Sequence, residues 1–421
     1  MTGYFTTERH EQLRQTVRVF AQEEVRPRIP VMELTQDVEA DLARLIAEQG
    51  WMGVTIGREY GGMGAGHVAK LVINQELSRV YPAMGAAAQA SQLGVAKIIH
   101  FGTPEQKATW LPAIARGECL PTIAVTERGS GSHVLGMATT AHREGKYYVL
   151  NGSKAFVGNS HIAHLHGVVA RTAQTPGRRS LSAFLVEADR PGLSLVPYRP
   201  AVGLPGFSFG EIVFDNCRIP VANLLGEEGD GMDVAYSSSI LYGRSNLTAV
   251  ALGIHEAIAE QTAQFAAGQM RPNGPLSELP TVRDQLARIQ SQLMTARLAA
   301  YHAAHLLDEA QPCDAELQNA KLVNAEHALD SARLAMEIHG GYALFPHESS
   351  IARFQRDAWH IAPPAGTSAV QRLRLAEVAL GEDNGSVQWS VRFADPTVAG
   401  AAWRLSHTAR RPVSRAARRS R

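Results

Sequence analysis

Cysteine is scarce: Cys119, Cys217 and Cys313 are the whole complement in 421 residues. Three widely spaced thiols make neither a disulfide framework nor a metal-site pattern. Charge of one sign is also lacking, with 41 Lys and Arg against 40 Asp and Glu. That balance gives no electrostatic reason to expect nucleic acid as the main partner. No apolar run reaches the length that spans a bilayer, so no membrane partner is expected. The first residues, MTGYFTTERHEQLRQ, are charged from the first turn and are not built like a signal peptide. These absences predict a soluble cytoplasmic protein, and the length allows two or three domains with a sizeable core.

What is present divides by period. Residues 1–122 read as a helical domain. Thr7 caps a helix carrying Leu13, Val17 and Phe20 on one face, expected to end near Arg26 and Pro27. Residues 41–49 form another helix, closed by Gly50, and the glycine-rich loop EYGGMGAG follows. Residues 68–80 and 84–100 read as buried helices. Thr103, Pro104 and Gln106 make a well-formed start to a further helix that ends at Gly117.

Residues 123–228 read as a small antiparallel β domain. Tyr147 to Leu150, then Asn151 and Gly152, then Lys154 to Val157 predict a hairpin, because Asn-Gly supplies the positive φ angles of a tight turn. Further short strands are expected over 165–170, 182–186, 193–197 and 211–214. Residues 229–384 return to helix, over 232–267, 281–307, 315–338 and a last element. Residues 385–421 hold Trp389, Phe393 and Trp403, then an Arg-rich end from Arg410, a composition that suits a disordered basic tail.

Three stretches can carry chemistry. Residues 340–381 deliver Gly366 and Thr367 onto the N-terminus of an amphipathic helix. Ser368 and Gln371 have capping-box spacing there, and Val370, Leu373, Leu375 and Val378 make an apolar stripe. Free N–H groups and the positive dipole end at such a turn favour an anion or an electron-rich ligand edge. The loop Thr126, Glu127, Arg128, Gly129, Ser130, Gly131, Ser132 allows close backbone approach and adds hydroxyls. His161, His164 and His166 are close in sequence, but no Cys or carboxylate joins them at ligand spacing, so no metal is expected.

From about Leu42 to Gly381 the chain resembles the acyl-CoA dehydrogenase family. The resemblance rests on the Gly-Gly at Gly340 and Gly341, the Arg-Asp-Ala at Arg356, the Gly-Thr at Gly366, the Thr126 to Ser132 loop, and Lys154 to Ser160. It implies an α+β fold with an N-terminal helical domain, a central antiparallel β domain and a C-terminal four-helix bundle. FAD is the implied cofactor. Ile123, Val125 and Thr126 would meet the flavin pyrimidine ring, and Ser132 would face flavin or substrate. Phe156 stands where an aromatic packs on the isoalloxazine, and Gly158 where the family has a Thr bonded to the ring. Thr367 would lie by the same cofactor. Arg271 and Glu337, with Gly340 and Gly341, would hold the dinucleotide across a subunit boundary, which implies a homo-oligomer, a dimer or tetramer, or a hetero-oligomer. The implied substrate is an acyl thioester on CoA or acyl carrier protein, lined by Gln89, Ser132 and Arg244, with electron-transferring flavoprotein as redox partner and lipid metabolism as setting. Polar Gln89, Ser91 and Gln92 on the expected pocket helix disfavour a long saturated chain.

The catalytic base departs from the pattern. Both positions at which the family carries its Glu are filled otherwise, by Ala365 and by Gly243. Tyr242 and His360 are the nearest proton-transferring side chains in sequence, and Asp357 reads as an Arg partner. Three readings follow: a thioester oxidoreductase with an unorthodox base, an oxygen-activating flavin monooxygenase on the same fold, or a non-catalytic subunit that completes a homologue's FAD site.

Overall fold

The computed structural model describes residues 4–174, 177–198, 201–382 and 389–392. Six helices come first: α1 (Glu8–Phe20), α2 (Ile29–Thr35), α3 (Ala40–Glu48), α4 (Gly66–Val80), α5 (Pro82–Phe101) and α6 (Pro104–Ala115). The start of α6 follows its sequence. Thr103 Oγ1 accepts from the Gln106 backbone N–H at 3.2 Å, and the Gln106 side-chain oxygen Oε1 accepts from Thr103 N–H at 3.0 Å. α4 and α5 are buried on nearly every face, as their Ala and aliphatic content requires. α1 is fixed to α4 by charge, since Arg14 donates to Glu76 at 2.7 Å and Arg18 reaches the same carboxylate at 3.1 Å, while Arg14 also donates to the Tyr301 hydroxyl at 2.6 Å. The chain does not stop at Arg26 and Pro27 as expected. A wide turn (Ala21–Val25) and a tight one (Arg26–Arg28) lead into α2 instead. Proline near a helix start lacks only an N–H that would have no partner there, so it marks a junction and not an end.

The β domain is built from β1 (Pro121–Ala124), β2 (Thr140–Glu144), β3 (Tyr147–Gly158), β4 (Leu165–Arg171), β5 (Leu181–Glu187), β6 (Leu193–Pro197), β7 (Phe209–Pro220) and β8 (Leu224–Leu225). The order is β6-β7-β3-β2-β4-β5-β8, with β1 on β4. The sheet is mixed and not wholly antiparallel, because β1 pairs β4 in parallel and β2 meets β4 in parallel at Thr140 and Arg171. The expected hairpin is displaced. Glu144 pairs with Tyr147 around Gly145, whose φ is +60°, whereas Asn151 and Gly152 lie inside β3. There the register against β7 slips between Leu150 and Gly152. A bulge uses positive φ as a tight turn does, so Asn-Gly alone does not tell them apart.

After Gly231 the chain is helical: α7 (Gly231–Ser237), a π-helical stretch (Ser238–Arg244), α8 (Ser245–Gly268), α9 (Pro280–Asp308), α10 (Asp314–His339), α11 (Ile351–Ile361) and α12 (Ser368–Ala379). α8, α9 and α10 pack on one another, α12 runs along α10, and α4 inserts against α8 and α9. α11 was absent from the expected helices. Its Phe354, Asp357, Ala358 and Ile361 are buried. The expected tail begins differently too. Trp389–Arg392 form a last short helix, α13, whose first N–H groups are capped by Asp314 at 2.9 Å, with Trp389 stacked on Tyr236 at 5.7 Å. The Arg-rich end lies outside the described residues.

Candidate active site

One wall is formed by β1, the residues just after it, and the end of β3. Ile123, Val125 and Thr126 are half-exposed while Ala124 is buried, so the outward edge is open. This segment is fixed from behind. Ala155 N–H donates to Thr126 O at 2.8 Å, and Lys154 Nζ donates to Val125 O at 3.1 Å and to Glu127 at 2.7 Å. Burial pulls the Lys154 ammonium down to about 8 against the pull of Glu127. Burial pushes the Glu127 carboxyl up, but Lys154 and the Ala138 and Thr139 N–H groups hold it below its usual range. Thr122 Oγ1 donates to Gly158 O at 2.7 Å, tying β1 to β3.

Phe156 is unusual. Its φ is +57° and 52% of it is exposed, at a second slip of β3 against β7. A bulge re-aims a side chain, and a left-handed aromatic residue stores strain that marks functional sites. Tyr198 and Phe209 lie 5.5 and 6.3 Å from it, ring to ring, and His360 of α11 lies 5.2 Å from Phe209. Burial lowers the pKa of His360, against a hydrogen bond with the Gly203 backbone, which favours the neutral ring. A Cβ on Gly158 would fall 2.9 Å from the tip of Phe207 and 3.2 Å from the Ala90 Cβ. The space of the family's Thr is therefore filled by Phe207.

α5 links this wall to a second one. Ala90 abuts Gly158, and Leu93 lies one turn further on. A Cβ on Gly243 would fall 3.6 Å from Leu93 Cδ1 and 3.3 Å from the Ala365 Cβ. Gly243 belongs to the π-helix, a form that recurs at functional sites. Ala365 belongs to the 362–367 turn, with φ +57° there and +96° at Gly366. Thus the two positions come to one spot from different elements. The turn is held by Lys321 Nζ, which donates to the carbonyls of Ala362 and Gly366, and by Gln371 Nε2, which donates to Ala365 O at 2.9 Å. The cap of α12 is Thr367, whose hydroxyl accepts from Val370 N–H, and not the expected Ser368. Lys321, Leu93 and Phe207 escaped the sequence reading, and Gln371 was expected only as a capping partner of Ser368. A lysine among the apolar residues of α10 was the available signal.

Other expectations change. Tyr242 is fully buried, donates to Thr55 Oγ1 at 3.1 Å and lies under Lys70, which removes it as a base. Asp357 accepts from Leu204 N–H at 2.7 Å and from no Arg among the described residues, and burial pushes its carboxyl up to about 7. Ser91 and Gln92 do not line a cavity. Ser91 accepts from Asn159 Nδ2, and Gln92 bridges Asn74 and Trp51. Gln89 is half-buried beside Leu93 on the same face. Ser132 is exposed in its loop. Of the three histidines, His164 accepts from Leu120 N–H, His161 meets Ser160 Oγ and His166 is buried.

Arg271, Glu337, Gly340 and Gly341 are not brought to these walls. Arg271 is exposed just past α8, and Glu337 binds Arg333 at 2.5 Å and Gln285 at 2.9 Å. Gly340 and Gly341 end α10 in open space. His339 stacks on Phe265 at 4.0 Å, so these residues share one end of the bundle. Lys321 and His339 are separated by roughly 27 Å along α10 at 1.5 Å per residue. The open β1 edge, the exposed Phe156 and the uncrowded Gly-Gly fit a long planar dinucleotide, provided a second chain brings its bundle end.

A helical–β–helical chain with such walls defines a flavoprotein oxidoreductase. Comparison with known proteins makes this specific. Residues 7–118, 122–217 and 229–380 match the N-terminal, middle and C-terminal domains of acyl-CoA dehydrogenase. The chain is 34% identical over 376 residues to an acyl-CoA dehydrogenase of Bacillus subtilis, covering 89% of this chain and 99% of that one. The solved butyryl-CoA dehydrogenase of Megasphaera elsdenii superposes with a TM-score of 0.86 at 27% identity, over 89% of this chain and 98% of that one. The prolyl acyl carrier protein oxidase AnaB gives 0.84 at 28% identity, over 89% and 99%. The chain belongs to the acyl-CoA dehydrogenase family, and is an FAD-dependent oxidoreductase of CH–CH bonds. Among the described residues no helix is long and apolar enough to cross a membrane.

Proposed function

We propose that this protein oxidises the Cα–Cβ bond of an acyl thioester, on CoA or on an acyl carrier protein, without a carboxylate base of its own. The observation that carries it is the 3.3 Å approach of a Gly243 Cβ to Ala365, across α5 from the open β1 edge. On this reading the walls are retained and one functional group, the carboxylate, is missing. Bound FAD supplies the acceptor for the hydride. The backbone of Ile123, Val125 and Thr126, with Phe156, would hold and orient its ring, and Thr367 would lie on the opposite side. Arg271, Glu337, Gly340 and Gly341 of a second copy would hold its far end. Ser132, Gln89 and Arg244 are the proposed substrate contacts. With Tyr242 committed to Thr55, His360 is the neutral group retained as proton acceptor. The carrier-protein alternative draws support from the likeness to an acyl carrier protein oxidase. The reading carries with it a cytoplasmic homo-oligomer, a dimer or tetramer, that serves lipid metabolism and passes electrons to an electron-transferring flavoprotein.

The test is flavin reduction by short acyl-CoA under anaerobic conditions. Ala365→Glu adds a carboxylate at a turn that already accepts a Cβ. A positioned base contributes roughly 10²–10⁴-fold, so a gain of that size is expected. No gain, with FAD bound, would show that substrate or reaction has changed.

A further inference from the structure

α13 (Trp389–Arg392) lies past residue 380, where the match to the family's C-terminal domain ends, yet it is packed into the molecule. Trp389 is 7% and Ser390 2% exposed. Trp389 shares one apolar cluster with Ile240, Leu241 and Tyr242 of the π-helix, and Leu93 packs against that cluster. Its ring stacks on Tyr236, and the Arg178 guanidinium lies over it at 5.1 Å. Ser390 Oγ accepts from Cys313 N–H at 2.9 Å, and the two Asp314 oxygens accept the Trp389 and Ser390 N–H groups. α13 therefore ties the start of α10 to the π-helix. Helices of that kind are rare and seldom exceed one turn, so a seven-residue stretch depends on what packs against it. Its last residue depends on the same contact. Burial lowers the Arg244 guanidinium to about 10, and Asp314 is foremost among the groups that favour its charge.

We propose that α13 is a strap that positions the π-helix for the reaction, with Trp389 as the positioning residue. The strap holds the wall that carries Gly243 and Arg244. The 362–367 turn facing it is held separately, by Lys321 and Gln371. The two halves of the catalytic spot are thus fixed by different supports, and loss of Trp389 loosens one of them. This goes beyond the thioester reading, on which only the second of the two measurements below rests.

The first measurement is hydrogen–deuterium exchange of the full-length protein, read over residues 238–245 and 362–371. Trp389→Ala should raise exchange in the first segment roughly tenfold or more and leave the second unchanged, and Trp389→Phe should keep most of the protection. Unchanged exchange over 238–245, or an equal rise in both segments, overturns the proposal. Should Trp389→Ala not fold, Ser390→Ala, which removes the acceptor for Cys313 N–H, is judged by the same criterion. The second measurement is anaerobic flavin reduction by butyryl-CoA. Gly243→Glu places a carboxylate on the strapped wall and Ala365→Glu places one on the turn. Adding Trp389→Ala should cancel the gain of the first and keep that of the second. Loss of both gains, or of neither, overturns the proposal. If neither Glu variant gains on its own, the thioester reading fails by itself, and the exchange pattern alone decides.

Discussion

At the scale of single residues, the buried ionisable groups give separable signals. Asp357 is fully buried, accepts one backbone N–H, and has its pKa raised from 3.8 to about 7 by burial. The folded state therefore holds that proton more tightly than the unfolded chain does. The stabilising contribution is complete below about pH 4 and is lost as pH rises through 7. Asp357→Asn keeps an acceptor for Leu204 N–H and removes the titration. Its melting temperature relative to wild type should rise by roughly 2–5 °C between pH 5 and pH 8. A constant difference across that range would mean that Asp357 is ionised throughout. No local signal announces this, because Asp357 follows an Arg and reads as half of an ion pair. Its burial comes from how α11 meets the Leu204 loop, a contact between residues 153 apart.

Among elements, the end of β3 carries the sharpest constraint. Gly158 is a glycine because Phe207 and Ala90 occupy its side-chain space. Gly158→Thr should overpack the site and cost about 1–3 kcal/mol, lowering both melting temperature and FAD per chain. Adding Phe207→Leu should recover at least half of both losses. If the single variant binds FAD normally, Phe207 does not fill that space. Local signals were legible where one segment decides the outcome. Thr103 and Gln106 make a capping box that needs nothing else. Asn151 and Gly152 were not, since the same dipeptide serves a bulge once β7 lies alongside. Likewise Thr367 displaced Ser368 as cap because Gln371 turned back to hold the 365–366 carbonyls.

For the whole molecule, the order helical, β, helical was readable from the change of period, and the family from motifs spread over most of its length. What could not be read was convergence: that Gly243 and Ala365, more than a hundred residues apart, share one spot. Of the expected stripe on α12, Leu373 (59%) and Val378 (41%) are exposed while Val370 and Leu375 are half-buried, and Leu380, just past the helix, is 69% exposed. Such a patch calls for a partner surface. A second copy would also bring Arg271, Gly340 and Gly341 to the flavin walls. Light scattering should therefore report a dimer or larger. Leu373→Glu with Leu380→Glu should yield monomers that have lost most of their FAD, whereas an FAD-loaded monomer would contradict this assembly.

The most direct measurement is anaerobic flavin reduction by acyl-CoA in Ala365→Glu, Gly243→Glu and the double variant. Because a Cβ on Gly243 would lie 3.3 Å from the Ala365 Cβ, each single variant should gain rate and the two gains should not multiply. Two like charges in one spot hinder each other's ionisation, so the double variant should be no faster than the better single one. Multiplying gains, or a gain at only one position, would contradict the convergence of the two elements on a single catalytic place.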